Sequence, residues 1–489
     1  MAKVVKNISI YSLGNILNKS ITFLLVPLYT RVLVPADYGK LELVNTVGAI
    51  LAMLYGLLVS NGYSRVYFLN KDPEWRKSLF FSGQVFSVFC CIIAGGLSFI
   101  NAETIADTIF NFPGGAIFLK LVTIVTLFKV LTLIPMNNIR NREKAVLYIS
   151  INAVYLVINT LLTIYFLVYQ KLGVKGVLYA QIISGIVELI TLYCFTWNQS
   201  SFHFRYSGLI TMLGFSIFLI PSNLSSFVLN YSNRYFLNEY MDIKEVGLYS
   251  LGAKIAGIIP FLFTEPVKMA FSPYIYGMID NQGKCKKHLA DFSRFFFAGL
   301  ALIALIISFF AKEAITIMAD TNYSGSHSIV FVLSVSYLFM GLAGIIISGI
   351  HISMKTWIVS LIWVFSAVIN IVLNVLLIPK YGRLGASVAT MLTSLCILVC
   401  YFIAVYKVYP VPFEYFKYAY LSIMMIMSNI ITQYIDRYLQ YAFVFKLLLL
   451  VIFVISLVMS GYFNSEEKRK AISFIKSHTK KYISKQEFQ

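Results

Sequence analysis

Charge is what this sequence has least of. Asp, Glu, Lys and Arg make up 12% of its 489 residues, about half the share of a soluble domain. With 59% hydrophobic residues, 40 Phe and 33 Tyr among them, no water-soluble fold of this length could hide its apolar surface. The same excess excludes disorder. Only 6 Cys, 28 Gly and 12 Pro are present, which excludes a disulfide-stapled scaffold and a collagen-like chain. No GxxxxGK[ST] occurs, so no bound nucleotide drives the chain directly. There is no HExxH, and the 5 His stand at no metal-ligand spacing. Cys90, Cys91, Cys194, Cys396 and Cys400 sit in apolar runs and Cys285 in a loop, without a CxxC pair, so they read as packing residues. No catalytic residue, metal or cofactor is expected. Acidic residues are scarcer than basic ones, 21 against 40, for a net charge of +19. The basic residues are scattered over many short loops, which does not favour nucleic acid as a partner.

What is present is a succession of long apolar runs. A membrane-spanning helix needs about 20 such residues, and fourteen segments qualify: 8–30, 41–61, 79–100, 117–136, 145–169, 174–196, 209–231, 246–267, 293–311, 328–350, 356–378, 384–406, 416–435 and 444–463. The first run continues to Pro27 without a small-residue cleavage site, so it reads as a helix and not as a signal peptide. No gap is long enough for a separate soluble domain; the widest is about 268–292. With an even helix count both termini share one side. That side carries 25 Lys and Arg against 12 on the other, which places both termini in the cytoplasm. The basic tail, 465–489, reads as a solvated juxtamembrane segment, with contact to anionic lipid as an alternative.

The two halves echo each other. Lys144 is followed by Val157-Ile158-Asn159 and then by Gly173-Val174-Lys175-Gly176; Lys355 is followed by Val368-Ile369-Asn370 and then by Gly382-Arg383-Leu384-Gly385. Arg31 and Arg234 each open an outer loop that closes at Gly39 and Gly247. The offset is six spans, an even number, so the halves share one orientation and are related by an axis along the membrane normal. The expected architecture is an all-α polytopic membrane protein with about 14 transmembrane helices. Residues 1–207 form an amino-terminal six-helix lobe and 208–410 a carboxy-terminal one, with two additional helices in 411–464. A substrate cavity would lie between the lobes, and rocking of the lobes would give alternating access.

Ionisable groups inside a membrane usually face a cavity or a partner. Ser12, Asn15, Lys19 and Thr22 share one face of the first span. Asn223, Ser226, Asn230 and Asn233 do so in the seventh, and Asn152, Tyr155, Asn159 and Thr163 in the fifth. Lys254 and Glu265 stand eleven residues apart in the eighth span, three turns, and point the same way. Amides and hydroxyls suit a ligand with many hydroxyls, and lysine suits phosphate oxygens. The cavity candidates are therefore Asn15, Lys19, Thr22, Lys129, Asn223, Asn230, Lys254 and Glu265. The amide stripes equally suit plain helix–helix hydrogen bonding. Lys129 either snorkels or pairs with Glu188. Glu265 either neutralises Lys254 or serves as a coupling carboxylate. Pro27 and Pro221, at corresponding positions of the two halves, are hinge candidates, with packing kinks as the alternative.

The stretch Ser12-Leu13-Gly14-Asn15, Pro27-Leu28-Tyr29-Thr30-Arg31-Val32-Leu33 and Pro35-Ala36-Asp37-Tyr38-Gly39 resembles the start of bacterial polysaccharide exporters. These are the Wzx-type O-antigen and capsule flippases of the multidrug/oligosaccharidyl-lipid/polysaccharide superfamily. Helix count and duplication extend the resemblance over the whole chain. It implies translocation of an undecaprenyl-pyrophosphate-linked oligosaccharide across the bacterial inner membrane, with membrane lipid, a glycan polymerase and a chain-length regulator as further partners. It also implies that the first, second, seventh and eighth helices line the cavity and that basic side chains there, Lys19 and Lys254 by helix, meet the pyrophosphate. A fourteen-span count is similar to the lipid II flippase branch as well. A cation-coupled multidrug exporter of the same fold is the alternative; its cavity would favour acids, and Glu42, Glu188 and Glu265 are the span carboxylates available.

Overall fold

A computed structural model of the chain describes residues 23–438 and 442–463. Every regular element among the described residues is helical. Only a helix satisfies its own backbone within a single apolar segment. The amino-terminal half holds α1 (Phe23–Val32), α2 (Pro35–Gly56), α3 (Val59–Val66) and α4 (Pro73–Cys90), which runs on through a π turn into α5 (Gly96–Ile100). Then come α6 (Ala102–Ile109), α7 (Gly115–Asn141), α8 (Ala145–Ile164) and α9 (Gly173–Thr196). The carboxy-terminal half holds α10 (Tyr206–Ile217), α11 (Ile220–Tyr240), α12 (Ile243–Ala256), α13 (Glu265–Tyr276) and α14 (Gln282–Phe309). It continues with α15 (Ala311–Met318), α16 (Val330–Ile346), α17 (Ser348–Ile352) and α18 (Trp357–Val408). Two further helices, α19 (Tyr415–Tyr438) and α20 (Ala442–Met459), follow. Helix starts are locally encoded. Proline opens α2 and α4, and Asp72 and Asp242 cap α4 and α12 by accepting from backbone N–H groups of the first turn.

Nine helices among the described residues are long and apolar enough to cross a membrane, or up to eleven if each of two bent pairs is one span. The expected count of fourteen is not reached, for three reasons. The described part of the first span is only Phe23–Val32. The expected eleventh and twelfth spans form the single 52-residue α18, and α19 is not among the helices that qualify. α18 is not one straight rod. Gly382 breaks it with φ 54 and ψ −132, and Asn370 donates to Thr393 at 3.2 Å, so the segments on either side of the glycine fold back on each other. The bent pairs are α2–α3, at 52°, and α10–α11, at 45°. Leu57 and Leu58, both in the left-handed region, make the first bend. Pro221 sits in the first turn of α11, at the second. Pro27 lies within α1.

The paired motifs of the two halves take matching conformations. Gly173 and Gly382 both have positive φ, 58 and 54, a conformation that costs glycine least. Asn159 accepts from Ser184 at 3.2 Å, as Asn370 donates to Thr393. Gly39 and Gly247 meet each other. A Cβ on Gly39 would stand 2.0 Å from the Ile243 carbonyl oxygen, and one on Gly247 1.9 Å from that of Pro35. Only two bare backbones allow α2 and α12 to cross this closely.

The halves are joined most densely at this end. Tyr323 donates to the Leu33 carbonyl at 2.8 Å, Thr30 to Met318 at 3.1 Å, and Arg31 to Ile317 at 2.8 Å. Asn111 and Asn238 cross in the same region, each donating to a carbonyl of the other half. Away from it, α10 packs on α3. Ser216 donates to the Leu58 carbonyl at 2.9 Å, and a Cβ on Gly62 would stand 2.2 Å from the Met212 carbonyl oxygen. The expected boundary at 207/208 thus falls in the first turn of a helix that buries Leu209 and Met212 with Val59, Tyr63 and Phe80 of the amino-terminal half. α19 and α20 pack on α14 through Tyr418, Leu421, Met425 and Phe453.

Candidate functional site

A charge cluster bridges the two halves just inside the glycine crossing. Glu42, buried on α2, accepts from the Lys254 ammonium of α12 at 2.6 Å. Its other oxygen lies 3.5 Å from Arg234 of α11. Arg234, also buried, donates through Nε to Ser250 at 3.1 Å and to the Asn230 carbonyl at 3.1 Å. Lys254 stands 5.1 Å from the centre of the Tyr38 ring, close enough for a cation–π contact. One carboxylate therefore answers two cations across the interface.

Lys254 and Arg234 line a cavity of about 420 Å³ in the carboxy-terminal half, together with Asn230, Glu265 and Lys268. Among the described residues, three cations and one carboxylate bound this space, with hydroxyls from Thr264, Ser336, Tyr337, Thr390, Thr393 and Ser394 and the Trp363 ring. Its charge suits an anion, and its rim of hydroxyls and amides suits a hydrogen-bonding ligand. Lys254 and Glu265 do share this cavity, but they do not pair. A π turn, Pro260–Thr264, separates their helices. Glu265 instead pairs with Lys268 one turn on, at 3.0 Å, and both side chains remain substantially exposed.

A second cavity, of about 470 Å³, lies in the amino-terminal half. Lys129, Arg140 and Glu188 line it with Asn45, Asn137 and Gln181. Lys129 and Glu188 face the same space, with no ion pair between them among the described contacts. Asn152 and Tyr155 of the predicted fifth-span stripe also line it.

The seventh-span stripe divides by role. Asn230 reaches the cavity. Asn223 folds onto its own helix, donating to the Leu219 carbonyl at 2.8 Å. Asn233 belongs to a closed amide cluster. It donates to Tyr249 and Thr390, both at 2.6 Å, and accepts from Asn374 at 2.7 Å. That cluster is interhelical bonding of the ordinary kind. Asn15, Lys19 and Thr22 lie outside the described residues, as does the basic tail.

Sequence reasoning missed Arg234, which it placed in a loop; it set Lys268 on one face with Lys254 and Glu265 but just past the span end, and did not count it among the cavity candidates. α11 extends to Tyr240 and α13 to Tyr276, so both are carried on helices. A signal was present for Arg234, which follows Asn230 by one helical turn and so continues the same face. Glu42 was legible as a span carboxylate, but its two partners were not.

Comparison with known proteins gives three kinds of likeness. Residues 4–278 match the family described as "Polysaccharide biosynthesis protein". An uncharacterized membrane protein of Haemophilus influenzae is 24% identical over 351 residues, 69% of this chain and 82% of that protein. The succinoglycan biosynthesis transport protein ExoT of Rhizobium meliloti is 24% identical over 243 residues, 48% of this chain and 46% of that protein. Among solved structures, the lipid II flippase MurJ in an inward closed conformation superposes with a TM-score of 0.72 at 13% identity, covering 92% of this chain and 98% of that one. The last likeness establishes the fold.

Proposed function

Because the chain belongs to the polysaccharide biosynthesis protein family, we propose that it flips an undecaprenyl-pyrophosphate-linked oligosaccharide, such as an O-antigen or capsule repeat unit, across the bacterial inner membrane. It is a multi-pass membrane transporter and not an enzyme. On the Lys/Arg asymmetry of its loops we assign both termini to the cytoplasm. That places the Gly39–Gly247 crossing at the outer face.

The observation that carries the substrate class is the charge of the cavity wall. Arg234, Lys254 and Lys268 face Glu265 in the carboxy-terminal half, and Lys129 and Arg140 face Glu188 in the amino-terminal half. Both walls are cationic on balance. An exporter of cationic drugs needs the opposite sign, whereas a pyrophosphate finds several ammonium and guanidinium groups at once. The surrounding amides and hydroxyls can exchange hydrogen bonds with sugar hydroxyls as the ligand moves.

Alternating access follows from the interface. The outer contact joins two lobes, 1–207 and 208–410, through the glycine crossing, the Glu42 cluster, a few hydrogen bonds and an apolar core in which Val26, Leu33 and Leu41 pack with Val246, Leu251 and Tyr323. An anion entering from the cytoplasm competes with Glu42 for Lys254 and Arg234. Each cation transferred to the ligand weakens the outer contact, so binding and opening are linked. The bends at Leu57–Leu58 and beside Pro221 are where the second and seventh spans would flex. Glu265, half-exposed and paired with Lys268 among the described residues, is the coupling candidate.

The test is complementation. In a strain lacking its own glycan flippase, the chain should restore surface glycan, Lys254→Arg should retain export, and a Lys254→Ala, Arg234→Ala double variant should lose it at equal membrane abundance. Full export by the double variant would remove these cations from the mechanism. Rescue of a lipid II flippase-depleted strain would move the substrate to lipid II. Resistance to cationic dyes without glycan export would make the chain a drug exporter.

A further inference from the structure

One face of α4 carries two features that the transport cavity does not use. At the start of the helix, Lys71, Arg76, Lys77 and Arg142 line a pocket of about 200 Å³ together with Asn138 and Gln199. Further along, Phe81, Val85 and Val88 line an apolar groove of about 490 Å³, closed on its other side by Trp197 and Phe202. Lys77, Phe81, Gln84 and Val88 follow one another at three- and four-residue steps, so pocket and groove lie on one continuous helix face. The short helical turn Trp197–Gln199 spans the same two features from across the gap, Trp197 in the groove and Gln199 in the pocket.

The pocket is built. Arg76 lies over the Tyr67 ring at 4.3 Å and donates through Nε to the Asn70 carbonyl at 2.8 Å. Asn138 is buried in the pocket wall. Asp72 and Glu74, the acids beside Lys71 and Arg76 in sequence, are otherwise engaged. Asp72 caps α4, accepting from the Glu74 and Trp75 N–H groups at 3.2 Å, and Glu74 pairs with Lys77 at 2.8 Å. Neither acid lines the pocket. The charges of Lys71, Arg76 and Arg142 therefore face it in excess.

The depth of the site in the membrane follows from its neighbours. Phe68 and Leu69 flank the pocket at 59% exposure, and Trp197 and Phe202 flank the groove at 62% and 80%. Exposed aromatics of this kind beside lysines and arginines mark the headgroup level of a bilayer. By the loop asymmetry this is the cytoplasmic leaflet.

We infer that pocket and groove form one site for an anionic glycerophospholipid of the cytoplasmic leaflet, its phosphate among Lys71, Arg76 and Arg142 and one acyl chain along Phe81, Val85 and Trp197. A soluble phosphate would use the pocket alone and leave the groove without purpose. The site lies in the amino-terminal half and is independent of which glycan the chain carries.

The experiment is lipid retention by the full chain in detergent, read by native mass spectrometry, with dioleoyl-phosphatidylglycerol, dioleoyl-phosphatidylcholine and inorganic phosphate as separate probes. The expected result is retention of phosphatidylglycerol over phosphatidylcholine by about tenfold or more, as two or three basic groups near a headgroup provide. Arg76→Gln with Arg142→Gln should abolish that preference. Lys71→Gln, at an exposed position, tests the same charge without touching the fold and should reduce the preference by about fivefold. Val85→Trp, filling the groove, should weaken both lipids and leave phosphate binding unchanged. Equal retention of the two lipids by the unmodified chain would overturn the assignment, as would an undiminished preference in Lys71→Gln. Phosphatidylglycerol binding that phosphate displaces and Val85→Trp leaves intact would reduce the site to a bare anion pocket and sink the lipid.

Discussion

Lys254 and Lys446 are both lysines of apolar helices, and each has a carboxylate oxygen within 2.7 Å. Their surroundings make them opposites. Lys254 shares the single carboxylate of Glu42 with Arg234 and keeps 28% of its side chain open to a cavity. Lys446 is held by both Glu313 and Asp436, each at 2.7 Å, and is fully enclosed. The first cluster has a surplus of cation, spans the two halves and faces space. The second has a surplus of carboxylate, ties α20 to α15 and α19, and faces none. A buried lysine by itself therefore says little about function. The ratio of charges around it, and whether any face is left open, separates a ligand-binding group from a fastening.

The contrast can be broken most sharply at Lys446. Lys446→Ala leaves the partly exposed Glu313 and Asp436 without their shared cation, and we expect a loss of stability of about 1–3 kcal/mol, the cost of leaving such acceptors unsatisfied. Thermal melting of the purified protein reads it directly. An unchanged melting temperature would mean that this cluster is not a fastening, and the distinction from Lys254 would fail.

Gly247→Ala tests the seal beside the functional cluster. The added methyl would stand 1.9 Å from the Pro35 carbonyl oxygen, and backbone cannot yield as a side chain can. The halves should part at this end, and export should fall by at least tenfold, about 1.4 kcal/mol. Labelling of a cysteine at Ser250, which is buried beside Arg234, should rise from the outer side. Normal export with no added labelling would show that the crossing does not gate.

Lys254→Ala should separate function from stability in the way Lys446→Ala does not. Glu42 keeps Arg234 as a partner, so the fold should lose only about 1 kcal/mol. Glycan export should nevertheless fail, with abundance in the membrane preserved. The smallest effect is expected at Lys129→Ala. This lysine is exposed to the amino-terminal cavity without an ion pair among the described contacts, so stability should stay within about 0.5 kcal/mol of the parent and export should drop only partially. A full loss of export there would shift the weight of anion recognition to the amino-terminal half.

The sequence by itself determined that this is a helical membrane protein whose two halves carry echoing motifs. Both follow from local properties. Apolarity over about 20 residues forces a helix in lipid, and a glycine at a fixed place in a turn marks a backbone conformation, as the positive φ at both Gly173 and Gly382 bears out. Lys254 and Glu265 were legible as intramembrane charges for the same reason. Span ends were less legible, because hydropathy fades over several residues there. Arg234 and Lys268 therefore fell outside the expected spans, and Arg294 and Lys446, at the ends of theirs, were counted with the loop charges, although each lies in a helix. Arg294 and Lys446 are fully enclosed among the helices around α14. Which carboxylate answers which cation was decided only by tertiary structure. Glu42 and Lys254 are 212 positions apart and meet because two glycines let α2 and α12 cross closely. An ion pair depends on distance in space, and sequence separation carries no information about lateral packing between helices of similar composition.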